Sequence, residues 1–122
     1  MSDTRHHRGT LTKVSNPDKL TGEEMMKAIL AAEEIEIESY YANVAECFAD
    51  ELRDRYFYHA GTDIVYELDD NEVDPYDDTI HAQRVDENTV SYELRFYDGG
   101  TYFTECLGEA VDNLVRREKG NE

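Results

Sequence analysis

Chemistry in this chain rests on its carboxylates, which are the only reactive side chains present in depth: 29 Asp and Glu stand against 12 Lys and Arg, four His and two Cys. Paired carboxylates can work as general acid and base or hold divalent cations, but both uses need a geometry that spacing alone does not supply. The densest acidic run, residues 67–78 (ELDDNEVDPYDD), holds seven carboxylates and no basic residue. Read as a calcium loop from Asp70, it has Asp70, Glu72 and Asp74 at ligand-like positions. Pro75 then stands where the loop needs its glycine turn, and His81 where a bidentate Glu should close the site, so the EF-hand pattern fails. A solvated acidic loop is the expectation, with no metal.

Nucleophilic catalysis requires Cys47 or Cys106 to be activated by a base such as His59 or His81. Neither cysteine has cationic neighbours in sequence, and an acidic field raises a thiol pKa and deactivates it. Two thiols 59 residues apart, each beside apolar residues, read as buried free cysteines of a reducing compartment. Phosphate cradles are absent, since Gly99-Gly100 is the only glycine pair and neither GxGxxG nor GxxxxGK occurs; CxxC and HExxH are absent too. The chain therefore reads as a non-enzyme, and no cofactor is expected.

A formal charge of -17 repels nucleic-acid phosphates and anionic membranes alike, so neither is an expected direct partner. What such a field attracts is a basic protein surface. The leading expectation is an acidic inhibitor or interaction protein that covers the basic surface of a nucleic-acid-processing enzyme or complex. It would act as a nucleic-acid mimic of the viral or plasmid anti-defence type, in the cytoplasm of the host if viral, and a homodimer is left open. Two footprints suggest themselves. Glu34, Glu38, Glu46, Asp50 and Asp54 would form a row along a helix, separated by about 5–10 Å at ~1.5 Å rise per residue. Asp69, Asp70, Glu72, Asp74, Tyr76, Asp77 and Asp78 would form the second, with Tyr40, Tyr41, Tyr58 and Tyr76 as aromatic anchors. The alternatives are an ordinary domain whose acidity is an adaptation to high salt, and a small-molecule or divalent-metal-binding protein.

The elements that must position these groups follow from periodicity. Residues 20–58 read as one long helix or a pair, opened by a Thr21/Glu24 capping box, with Met26, Leu30, Ile37, Tyr41, Val44, Phe48, Leu52 and Tyr56 on one stripe. The strict alternation of Glu34-Ile35-Glu36-Ile37-Glu38 is a strand pattern and marks a break near Glu34. Residues 63–68, 79–84 and 89–97 read as strands, the last with Val90, Tyr92, Leu94 and Phe96 on one face. A turn at Asp98-Gly99-Gly100 leads into a further strand over 101–104, and Thr104 caps a final helix reaching about Arg117. The fold class is α+β: an N-terminal helix or helix pair, a three- to five-stranded antiparallel sheet, and a C-terminal helix packed on one face. Residues 1–16 read as a flexible arm with a candidate edge strand at 9–14, residues 17–118 as a single acidic domain, and 119–122 as a tail. Neither a leader peptide nor an apolar run long enough to span a membrane is evident, which suits a soluble cytoplasmic protein.

Overall fold

The computed structural model describes the backbone over residues 4–73, 82–97 and 103–120. The elements run β1 (Thr4–Lys13), α1 (Gly22–Ala32), α2 (Val44–Glu51), β2 (Tyr56–His59), β3 (Ile64–Val73), β4 (Ala82–Arg84), β5 (Thr89–Tyr97) and α3 (Phe103–Gly120). The strands form one antiparallel sheet in the order β2-β3-β1-β5-β4, and α3 packs against β4 and β5, so the fold is α+β. Two compact units are distinguished: a continuous one, Lys13–Glu67, and a discontinuous one made of Met1–Thr12 and Leu68–Glu122. No helix among the described residues is long and apolar enough to cross a membrane.

In the continuous unit, α1 starts where the capping box places it. The Thr21 side chain accepts from the Glu24 N–H, and the Glu24 carboxylate accepts from the Thr21 N–H. Each bond satisfies a backbone donor that the first helical turn leaves orphaned. A second clamp holds the same end: Asp63 accepts from the Gly22 N–H at 2.9 Å and from the Tyr58 hydroxyl at 2.5 Å. The fit is tight, since a Cβ on Gly22 would lie 2.2 Å from Asp63 Oδ1.

Of the two readings of residues 20–58 the structure has the helix pair, with the break near Glu34 where the Glu-Ile alternation marks it, although both helices are shorter than the apolar stripe suggests. Glu34 adopts a left-handed φ of 60°, the Ile35 N–H returns to the Leu30 carbonyl at 2.9 Å, and the Glu34 N–H returns to Ala31 at 3.0 Å. That bond pair is a Schellman stop, sealed by Ile35 packing on the core that contains Leu30. Residues 33–43 are neither helix nor strand. A new helix begins when the Asn43 side chain accepts from the Glu46 N–H at 2.8 Å. It lasts only to Glu51, and Tyr56-Phe57-Tyr58-His59, expected to be helical, is strand β2 paired with β3 from Tyr56↔Glu67 to His59↔Ile64. Successive aromatics suit a pleated surface better than a helix, where they lose χ1 freedom. Of the expected stripe, Met26, Leu30, Val44, Phe48 and Leu52 are buried, whereas Ile37 is exposed.

In the discontinuous unit, β1 is an interior strand between β3 and β5, which corrects the reading of an edge strand in a flexible arm. Its register with β5 runs from Thr4↔Tyr97 to Thr12↔Thr89. One face carries His7, Gly9 and Leu11 opposite Leu94, Tyr92 and Val90; on the other, Arg8 meets Glu93 at 3.2 Å. The inward face looked weak in sequence because it holds only one large aliphatic residue. Gly9 leaves the space that the Tyr92 ring fills, and a Cβ there would lie 2.0 Å from the Asp69 carbonyl oxygen and 2.6 Å from the Tyr92 hydroxyl. Leu107, Val111 and Leu114 of α3 are buried at one-turn and two-turn spacing. Phe103 and Thr104, expected at the end of a strand, belong to α3, and the Phe103 ring sits 5.2 Å from His7 and 6.2 Å from Tyr92. Near its other end Arg84 grips Glu118 through two 3.1 Å bonds and Arg117 donates to the Ala82 carbonyl at 2.8 Å.

Candidate functional site

The acidic row expected along one helix is divided by the turn at Glu34. Glu34 and Glu38 lie in the 33–43 loop, Glu46 and Asp50 on α2, and Asp54 in the turn beyond it, so a single helical spacing does not relate them. Several of these carboxylates are engaged. Glu46 accepts from the Ala42 N–H at 2.7 Å and so braces the start of α2. Asp50 and Glu51 both lie 2.8 Å from the Tyr41 hydroxyl, which has one proton to share between them. Contacts with Tyr40, Asp50 and Glu51 keep the Tyr41 phenol protonated far above its usual range. Glu33 takes a two-pronged bond from Arg55 at 3.1 and 2.9 Å, and that hydrogen bonding holds its carboxyl below the usual value. Glu34, Glu36, Glu38 and Asp54 are exposed, and among the described residues no Lys or Arg pairs with them.

The loop is fixed at two points and faces outward between them. Ile35 near its start and Tyr41 near its end pack on the core. Ile37 and Tyr40, in between, are 44% and 73% exposed, and the Tyr40 ring lies 4.5 Å from that of Tyr41. Periodicity placed Ile37 on the buried stripe, and the Glu-Ile alternation, read as a strand, would also have put Ile35 and Ile37 on one face; the 33–43 segment follows no regular period, so no spacing signal separates the inward Ile35 from the outward Ile37. Tyr58, expected as an anchor, is spent on Asp63, which with burial pushes its hydroxyl up to about 12.

The second acidic footprint is not a loop over its first half. Asp69, Asp70 and Glu72 belong to β3. Asp70 is half-buried and committed: the Tyr92 hydroxyl donates to one oxygen, and His7 Nδ1 lies 2.6 Å from the other. Burial first, then the Asp70 hydrogen bond, push the Tyr92 phenol well above its usual range. This His7–Asp70–Tyr92 cluster went unseen in sequence because its three members meet only through strand register. Asp74, Tyr76, Asp77 and Asp78 lie outside the described residues, as does the turn expected at 98–100.

Cys47 is buried as expected, whereas Cys106 is only half-buried, and both thiols are pushed toward the protonated form. Burial, followed by Glu51, Asp50 and Glu38, raises Cys47; burial, followed by Glu109 and Glu105, raises Cys106. Both are free, and among the described residues no group of three or more His, Cys, Asp or Glu is arranged to hold a metal ion. Comparison with protein-family models, curated proteins and solved structures finds no match, so the surface chemistry of the chain itself carries the functional reading.

Proposed function

We propose that the chain is a non-enzymatic acidic interaction protein that covers a basic surface of a partner protein, of the kind that nucleic-acid-processing enzymes present to phosphates. The observation that carries this reading is the imbalance across residues 33–54, where eight carboxylates accompany one arginine, Arg53. Four of them, Glu34, Glu36, Glu38 and Asp54, project exposed charge. Uncompensated charge on one segment raises its encounter rate with a cationic surface and repels phosphate-bearing competitors. Imitation of a nucleic acid is the specific form of this proposal, and an inhibitory, anti-defence role would follow from it.

The test is affinity capture at low salt with a sodium chloride gradient, followed by competition. Support requires one identified nucleic-acid enzyme that elutes sharply and is displaced by duplex DNA or RNA. A smear of basic proteins, undisturbed by nucleic acid, would overturn the mimic reading and leave the charge a generic solubility feature.

A further inference from the structure

Resting on the reading of the chain as an acidic interaction protein, we infer that its footprint is the 33–43 loop, and that the partner surface is an apolar pocket rimmed by Lys and Arg rather than a uniformly charged groove. Three features of the loop lead there. Two of its outward side chains are apolar: Ile37 and Tyr40 are two of the three large hydrophobics most exposed among the described residues. Water-exposed apolar surface is ordinary when scattered, but here it shares one short loop with the exposed carboxylates Glu34, Glu36 and Glu38. A pocket that accepts such a loop must offer apolar walls to the anchors and cations to the rim.

The loop is also held ready. Ile35 and Tyr41 tie its two ends to the core, the Schellman stop fixes its entry and the Tyr41 N–H bond to the Glu38 carbonyl at 3.1 Å curls its exit. The Tyr41 hydroxyl, held by Asp50 and Glu51, stops the ring beside Tyr40 from swinging out. A loop ordered before binding does not lose that freedom on binding, which is how a small anchor surface reaches useful affinity. Aromatic and aliphatic anchors supply strength that salt does not screen, while rim charges govern on-rate and salt dependence. A pure phosphate mimic has only the second component.

The experiment uses two synthetic Lys/Arg-rich peptides of equal charge, one with a central Leu-Leu pair and one with Gly-Gly. Each is titrated into the full chain at low and at moderate salt, with affinity and amide NMR shifts recorded. The Leu-Leu peptide should bind about tenfold more tightly, should retain most of that advantage at moderate salt, and should shift amides of residues 33–43. Ile37→Ser with Tyr40→Ser should erase the advantage while leaving Gly-Gly binding unchanged. Because both side chains are exposed, the variant should fold; should it not, Tyr40→Ala alone and the location of the shifts decide the same question. Equal binding of both peptides, or shifts centred outside the loop, would overturn the footprint while the acidic interaction reading stands. Failure of both peptides to bind at low salt would overturn that broader reading as well.

Discussion

Glu34 occupies a backbone region in which an L side chain is strained, because its Cβ crowds the following carbonyl. Glycine is free of that clash at the cost of greater freedom in the unfolded chain. Glu34→Gly should therefore stabilise the protein by roughly 1 kcal/mol, read as a rise in the urea midpoint with unchanged slope. The Thr21/Glu24 box was legible because all its partners are local. The break near Glu34 was legible in the Glu-Ile alternation, but its form was not, since what rewards a left-handed stop there is Ile35 packing against the core, a tertiary gain that propensity does not encode. Tyr58 and Asp63 set a second prediction. The Tyr58 hydroxyl titrates at about 12 in the fold against an ordinary 10.0, so the folded state holds its proton more tightly than the unfolded state does. Its contribution is complete below pH 10 and is lost as pH rises toward 12. Asp63 has the opposite sign: hydrogen bonds from Tyr58 and the Gly22 N–H hold it below its ordinary 3.8, so its contribution is lost as pH falls through that range. Tyr58→Phe should reduce the alkaline loss by the Tyr58 share, leaving that of Tyr41 and Tyr92, and pH-dependent urea unfolding of the two proteins would show the difference.

Among the elements, β1 depends most on one small residue. Gly9→Ala would drive a methyl into the Asp69 carbonyl and the Tyr92 hydroxyl, and since the first of these is backbone, the strands must shift. A loss of roughly 1–3 kcal/mol is expected, with exchange of the β1 amides accelerated before those of α1. If Gly9→Ala were neutral, the close approach of Tyr92 and Asp69 to Gly9 would be wrong. Sequence periodicity identified β5 and α3 because their inward faces are continuous runs of large apolar residues. It underrated β1, whose inward face of His7, Gly9 and Leu11 is filled by Tyr92 reaching across from β5. Phe48 shows the reverse case, a core residue that periodicity placed correctly even though the helix around it was drawn far too long; its truncation to Ala should cost about 3–5 kcal/mol.

At the level of the whole molecule, the charge of -17 opposes compaction through self-repulsion. Raising sodium chloride from about 0.1 to about 1 M shortens the screening length from about 10 to about 3 Å, so the urea midpoint should rise and then level off. A chain folded at 0.1 M with this modest gain fits an acidic surface kept for partners. Unfolding at 0.1 M, with structure regained only at far higher salt, would identify the acidity as adaptation to concentrated brine. The α+β class and the C-terminal helix were legible because composition and period speak directly to them. The acidic surface was legible as a quantity, yet the division of its members between braces, such as Glu46 and Asp70, and free charges, such as Glu38, depends on folded geometry.

The interior position of β1 carries a consequence for the order in which the protein forms. During synthesis the Lys13–Glu67 unit is complete, core included, while β1 still lacks its neighbour β5, because Thr4 must wait for Tyr97 to emerge. Closing that span costs loop entropy that no local contact repays, and contacts so far apart in sequence are slow to form. On a nascent chain the edge of β1 that faces β5 is unpaired, and closing the β1–β5 ladder is the late event. Pulsed hydrogen exchange during refolding should find the amides of α1 and α2 protected first and those of β1 and β5 last.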